Sequence, residues 1–239
     1  MNDASKATHD LAVLTLEFET PGVPDWPVLS IRVNGESPFA KVAKDWQGFD
    51  PGKMLGRPSP LIPDDAGHRV ALYRCSCGEA GCGVIAPFVV ASPDRKRISW
   101  VDFRDYVGVF TGPTAPMAAD HDGKPWQLPD LHFDYAQYVA EVQRATADRS
   151  WETPRRKLAR LLDERLTPMN LTLPPDLPLT WVTPAWKAEG VVLSFSGTSQ
   201  QLLHLNSTQA DPAQAAEDIT HQLLSTSPHN WTHLYGYHP

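Results

Sequence analysis

The sequence predicts an α+β fold: an antiparallel β-sheet region, a two-helix segment and a C-terminal ββαβ unit. Three observations carry this prediction. Apolar residues alternate with period two in several stretches of the first 130 residues, as half-buried strands require. Two segments of helical periodicity follow, each opened by a capping residue. After Arg165 the composition changes: the only remaining Lys or Arg is Lys187, while five of the 9 His lie there. The expected organisation is a β-rich region over 1–130, a helical segment over 131–167 and a ββαβ unit over 168–239.

Leu11 to Phe18 places Ala12, Leu14, Leu16 and Phe18 on one strand face. Val28 to Val33 repeats the pattern with Leu29, Ile31 and Val33, and Asn34-Gly35 then supplies the left-handed pair of a tight hairpin turn. The Pro- and Gly-rich stretch 47–67 reads as a long surface loop. Val70–Cys75, Val84–Val90 and Ile98–Phe103 read as strands, the second apolar on both faces and therefore buried. Gly112–Asp130 reads as a second loop. Asp134 is placed to cap a helix whose inner face is Tyr135, Tyr138, Val139 and Val142. Thr153 and Pro154 open another, with Leu158, Leu161, Leu162 and Leu166 inward and Arg155, Arg156, Lys157 and Arg160 outward. Pro168–Pro184 reads as a connector. Strands over Val191–Phe195 and Gln201–Leu205 flank the turn Ser196–Ser199. A helix from Asp211-Pro212 turns Ala215, Ala216, Ile219 and Leu223 inward, and Trp231–Tyr237 is expected to close the unit as a strand.

Composition narrows the function classes. With 41% hydrophobic and 21% charged residues the chain has a globular balance. Its 23 prolines are nearly twice the usual share of ~5%, so many segments must be loops or sheet edges. A net charge of −7 repels phosphate backbones, so no nucleic-acid partner is expected. No run reaches the ~20 apolar residues of a membrane span, and Met1–Asp10 has no apolar signal core. The expectation is a cytoplasmic protein with no membrane association. The odd count of 3 cysteines agrees with a reducing compartment.

All 3 cysteines fall within eight residues, in Cys75-Ser-Cys77-Gly-Glu-Ala-Gly81-Cys82-Gly83. Cys75 and Cys77 are two apart, so on a strand they point to one side. Cys77 and Cys82 flank a four-residue Gly-containing loop and face each other across a bent hairpin. Such a hairpin aims three thiolates at one point, and zinc takes a tetrahedral set at ~2.3 Å from sulfur. A fourth ligand is then needed. His68 is near in sequence, and His121 and His132 lie in later loops. The CxxC spacing of zinc knuckles is absent. Two other readings stay open: small apolar thiols packed against the sheet, and thiol redox or disulfide chemistry.

The stretch Tyr73–Phe103, with this turn, a strand and then Ser99-Trp100-Val101-Asp102-Phe103, resembles a group of uncharacterised bacterial proteins. They share a CxCGxxGCG-like turn followed by a tryptophan-bearing strand. The resemblance covers about 30 residues. It implies a bacterial origin and a shared local fold, and it carries over no catalytic residue.

Other patterns lead less far. Gly81-x-Gly83-x-x-Ala86 matches a dinucleotide fingerprint only in its glycines, since Pro87 and the apolar run after it dictate a strand where a helix is required. Gly48–Lys53 is one residue short of a P-loop, and Met54 stands where a magnesium-binding hydroxyl belongs. His229, His233 and His238 with Trp231, Tyr235 and Tyr237 read as a wet closing strand. Asp120–Gly123 reads as a polar turn. The expected function is therefore a non-enzymatic binding or interaction protein with a protein partner, immunity-like proteins being one such class. A structural zinc on Cys75, Cys77, Cys82 and His68 goes with that reading. The alternative is an enzyme using the cysteine cluster, as a zinc-assisted hydrolase or a thiol redox protein.

Overall fold

A computed structural model of the chain describes residues 11–186 and 188–236. The fold is α+β with antiparallel sheets, and it divides between Trp151 and Glu152 into two compact units, each with its own core. The division falls between the two helices read as one segment over 131–167, so each unit takes one of them.

The first unit runs β1 (Leu14–Glu19), β2 (Val28–Val33), β3 (Gln47–Gly48), α1 (Pro51–Met54), β4 (His68–Arg69), β5 (Tyr73–Arg74), β6 (Val84–Ala91), β7 (Arg97–Asp105), β8 (Lys124–Pro125), β9 (Leu131–Asp134) and α2 (Tyr135–Ala147). β1 and β2 form a hairpin in which Leu14 faces Val33 and Glu19 faces Val28. Asn34 at φ 53° and Gly35 at φ 82° make the turn after β2, as the Asn-Gly pair predicts. The larger sheet is ordered β3-β5-β6-β7-β8, with β4 also paired to β6 and β9 to β7. Val84, Ile85 and Ala86 at the start of β6 are fully buried, as a strand apolar on both faces should be.

α2 begins as its sequence dictates, the Asp134 carboxylate accepting the Gln137 amide at 2.9 Å. Its polar side chains then close the open edge of β1. Gln137 bonds both the amide and the carbonyl of Leu14, and the Glu141 carboxylate accepts the Leu16 amide at 2.6 Å. Those backbone groups would otherwise template pairing with another chain. Beneath this helix the Trp100 indole donates to Tyr138 Oη at 3.1 Å, and the Tyr138 hydroxyl donates to the Leu61 carbonyl at 2.9 Å. The stretch 47–67 is thus no surface loop: Phe49, Met54, Leu55 and Leu61 are buried in the same core. Its prolines end regular structure without making it solvent-facing.

The second unit runs α3 (Pro154–Leu166), β10 (Thr172–Leu173), β11 (Leu177–Pro184), β12 (Val191–Ser196), β13 (Gln200–Leu205), α4 (Pro212–Leu224) and α5 (Pro228–Tyr235). Its sheet is β10-β11-β12-β13, antiparallel throughout. Two expectations need correction. The stretch 168–184 is not a connector, because β11 pairs Val182 with Leu193 and Pro184 with Val191 in the middle of the sheet. The closing segment is a helix rather than a strand, so the unit is not ββαβ. Pro228 at the first helical position favours this, and helical spacing puts Trp231 and Tyr235 on one face. The buried Trp231 indole then donates to the Leu223 and Thr226 carbonyls. His229 and His233 share a different, exposed face, while Tyr237 and His238 lie outside the described residues.

Candidate metal centre

The cysteine segment joins β5 to β6 as an antiparallel hairpin: Arg74 faces Val84, and the Cys75 amide donates to the Gly83 carbonyl at 3.1 Å. No helix begins at Gly83, which disposes of the dinucleotide reading. The outgoing arm reverses in a turn from Cys75 to Gly78, whose amide donates to the Cys75 carbonyl at 2.9 Å. Gly78 adopts φ 86°, a left-handed value open to glycine at little cost. The return arm is a 3₁₀ turn over Ala80–Cys82, closed by amides of Cys82 and Gly83 on the carbonyls of Glu79 and Ala80.

This hairpin tip is anchored from outside. Asp105 at the end of β7 accepts the Val84 amide on Oδ1 at 2.8 Å, and the Gly108 amide donates to the Gly81 carbonyl at 2.9 Å. A Cβ on Gly83 would meet Asp105 Oδ1 at 3.0 Å and the Trp46 ring at 3.1 Å, so the return arm fits only as glycine or with displacement of both neighbours.

The two turns bring the three thiols together, every pair of Sγ atoms lying within 4.8 Å. Cys75 and Cys77 meet because the turn folds one over the other, not because they share a strand face. Their Sγ atoms are 2.7 Å apart, and the Cys77 amide points at Cys75 Sγ at 3.4 Å. That separation lies between a disulfide bond of about 2.05 Å and the roughly 3.8 Å edge of a zinc–sulfur tetrahedron. A metal ion would require this pair to spread by about 1 Å, a small rotation for exposed side chains. Cys75 is half-buried, and Cys77 and Cys82 are exposed. The packed-thiol reading therefore fails for two of the three.

The thiols do not titrate alike. Hydrogen bonding to Cys75, then to the Glu79 amide and to Cys82, holds Cys77 below the ordinary thiol range. Cys82 is pushed up to about 11, first by its hydrogen bond with Cys77 and then by the negative charge there. Of these two, Cys77 is therefore the thiol that ionises first, and a bound cation would favour the thiolate form of its ligands.

The cluster could hold a metal ion, with three sulfur donors and no fourth His, Cys, Asp or Glu among the described residues close to all of them. His68 is not the fourth ligand. It pairs with Val89 on β6, whereas Arg74, next to Cys75, pairs with Val84. Five residues of strand put roughly 16 Å between them. His68 Nε2 instead bonds the Pro60 carbonyl at 2.9 Å. His132 Nδ1 bonds Ser99 Oγ on β7, and His121 borders a cleft elsewhere in the unit. Sequence reasoning missed Asp105, which fixes the hairpin from 22 residues beyond Gly83; no local signal marks it. Comparison with protein-family models, curated proteins and solved structures finds no match.

Proposed function

We propose that the protein is a metal-binding protein in which Cys75, Cys77 and Cys82, as thiolates, hold a zinc ion at the tip of the β5–β6 hairpin. The observation that carries this is the meeting of three thiol sulfurs within 4.8 Å of one another on a hairpin whose return arm is anchored by Asp105 and Gly108. Thiolate donors favour soft or borderline cations such as zinc over magnesium or calcium. Three protein ligands leave one tetrahedral position facing solvent, for water or a donor from a bound protein. The site thus differs from a closed four-ligand staple, and it sits where a partner surface can reach it. Zinc content of untagged protein, measured per mole of wild type and of Cys77→Ser, tests this. One equivalent in wild type and less than a tenth in the variant is expected. Equal content in both would overturn it.

A second reading rests on the 2.7 Å approach of Cys75 and Cys77 and on the lowered proton affinity of Cys77. That pair is placed for thiol–disulfide exchange, with Cys77 as the attacking thiolate. Zinc protection separates the two readings: a bound cation blocks alkylation of all three thiols, whereas a redox pair stays reactive with zinc present.

A further inference from the structure

The first unit contains a cleft of about 900 Å³, on the β4 side of the sheet, that the thiol cluster does not use. We infer that it is a binding site for a small molecule joining an oxyanion head group, carboxylate or phosphate, to an apolar body. The inference is independent of the metal reading.

The head-group end is built around Asp102. Two steps along β6, from Ala86 to Phe88, match three along β7, from Arg104 to Val101, so β7 carries a bulge here. Asp102 takes a left-handed φ of 48°, which a non-glycine residue rarely holds unless its surroundings impose it. Its carboxylate joins two guanidiniums, Arg69 Nη2 at 2.6 Å and Arg104 Nε at 2.9 Å. Arg69 Nη1 also donates to the carbonyls of Ala86 and Asp102, and Arg104 Nη1 to that of Asp122. None of these bonds uses Arg69 Nε or Arg104 Nη2. Burial raises the proton affinity of Asp102, but the two guanidiniums outweigh it and keep the carboxyl below its usual range. The three groups therefore carry a net positive charge with donors to spare.

Burial decides between cation and anion as the ligand. The cleft is also bordered by Asp64 and Asp122, but both are exposed to solvent. The side chains of Arg69 and Arg104 are only 15% and 29% exposed, against 44% for Asp102. Recessed guanidiniums interact more strongly than wet carboxylates at the rim. The apolar body has its own surface. The ring centroids of Phe88 and Tyr106 stand 5.9 Å and 5.5 Å from the Arg69 guanidinium carbon, and Ile62 and Ala118 add aliphatic wall. A bidentate Arg on an oxyanion beside aromatic rings is a common recognition geometry.

The test is calorimetric titration of the full chain at low salt with phenyl phosphate, benzoate and inorganic phosphate. At least one aromatic anion should bind, and at least tenfold more tightly than inorganic phosphate. Preference for phenyl phosphate or for benzoate identifies the head group. Arg104→Gln should weaken binding at least tenfold, whereas Arg97→Gln, exposed at the far end of β7, should leave it unchanged. Should Arg104→Gln fail to fold, side-chain Nε–H resonances of Arg69 and Arg104 in the wild type should shift on adding the aromatic anion. No binding of either aromatic anion, equal binding of inorganic phosphate, or equal loss in both variants would overturn the inference.

Discussion

Cys77 is the residue on which the metal site turns. Hydrogen bonding with Cys75, then with the Glu79 amide and with Cys82, lowers its proton affinity while that of Cys82 is raised, so its thiolate forms before that of Cys82. Alkylation of the metal-free protein near neutral pH should therefore label Cys77 ahead of Cys82, an order that peptide mass spectrometry reads directly. Labelling of Cys82 ahead of Cys77 would contradict this ordering of charge. Gly78 matters for another reason. Nothing lies within 4 Å of where its Cβ would be, so Gly78→Ala tests backbone strain alone at φ 86°. The expected cost is about 1 kcal/mol, or roughly fivefold in metal affinity, measured by competition with a chromophoric chelator. The sequence made both residues legible, since three cysteines in eight positions and a glycine after the second leave little else for the turn to do. It hid Asp105, Arg69 and Asp102, whose roles depend on neighbours brought in by strand pairing.

Helix α2 shows how an element can hold both a core and a sheet edge. Its Glu141 carboxylate is raised in proton affinity by burial, yet Arg144 and the Leu16 amide outweigh this and leave it below the usual glutamate range. A carboxyl with a lowered folded-state pKa contributes stability above its unfolded value and loses it as pH falls through the folded one. Glu141→Gln should thus lower the melting temperature at pH 7, and the gap from wild type should close as the pH drops below about 4.5. A gap that persists at acid pH would mean that shape, not charge, is what Glu141 supplies. Asp134→Ala should cost about 1 kcal/mol through loss of the N-cap. α2, α3 and α4 were legible because capping residue and apolar period agree within a few positions. α5 was not, because Trp231, His233 and Tyr235 alternate as a strand would while Trp231 and Tyr235 also fit a helix. The Ser227-Pro228 pair was the available helix signal. β11 was obscured by its prolines, which sit second and last in the strand, where a missing amide costs the sheet least.

At the scale of the whole molecule, two cores separate what the chain can lose from what it must keep for the site. Trp231 fills the second core and makes two hydrogen bonds, so Trp231→Ala should cost about 3–5 kcal/mol there. Zinc uptake should be unchanged, since all three thiols lie in the first unit. No helix among the described residues is long and apolar enough to cross a membrane. The α+β class followed from alternation and capping, which are local. The fourth ligand could not be read the same way: His68 is seven residues from Cys75 in sequence, and two strand segments carry it away along β6. X-ray absorption at the zinc edge of the zinc-loaded full chain tests the central claim most directly. Three sulfur scatterers at about 2.3 Å and one oxygen or nitrogen at about 2.0 Å are predicted; a shell of nitrogen and oxygen alone would contradict it.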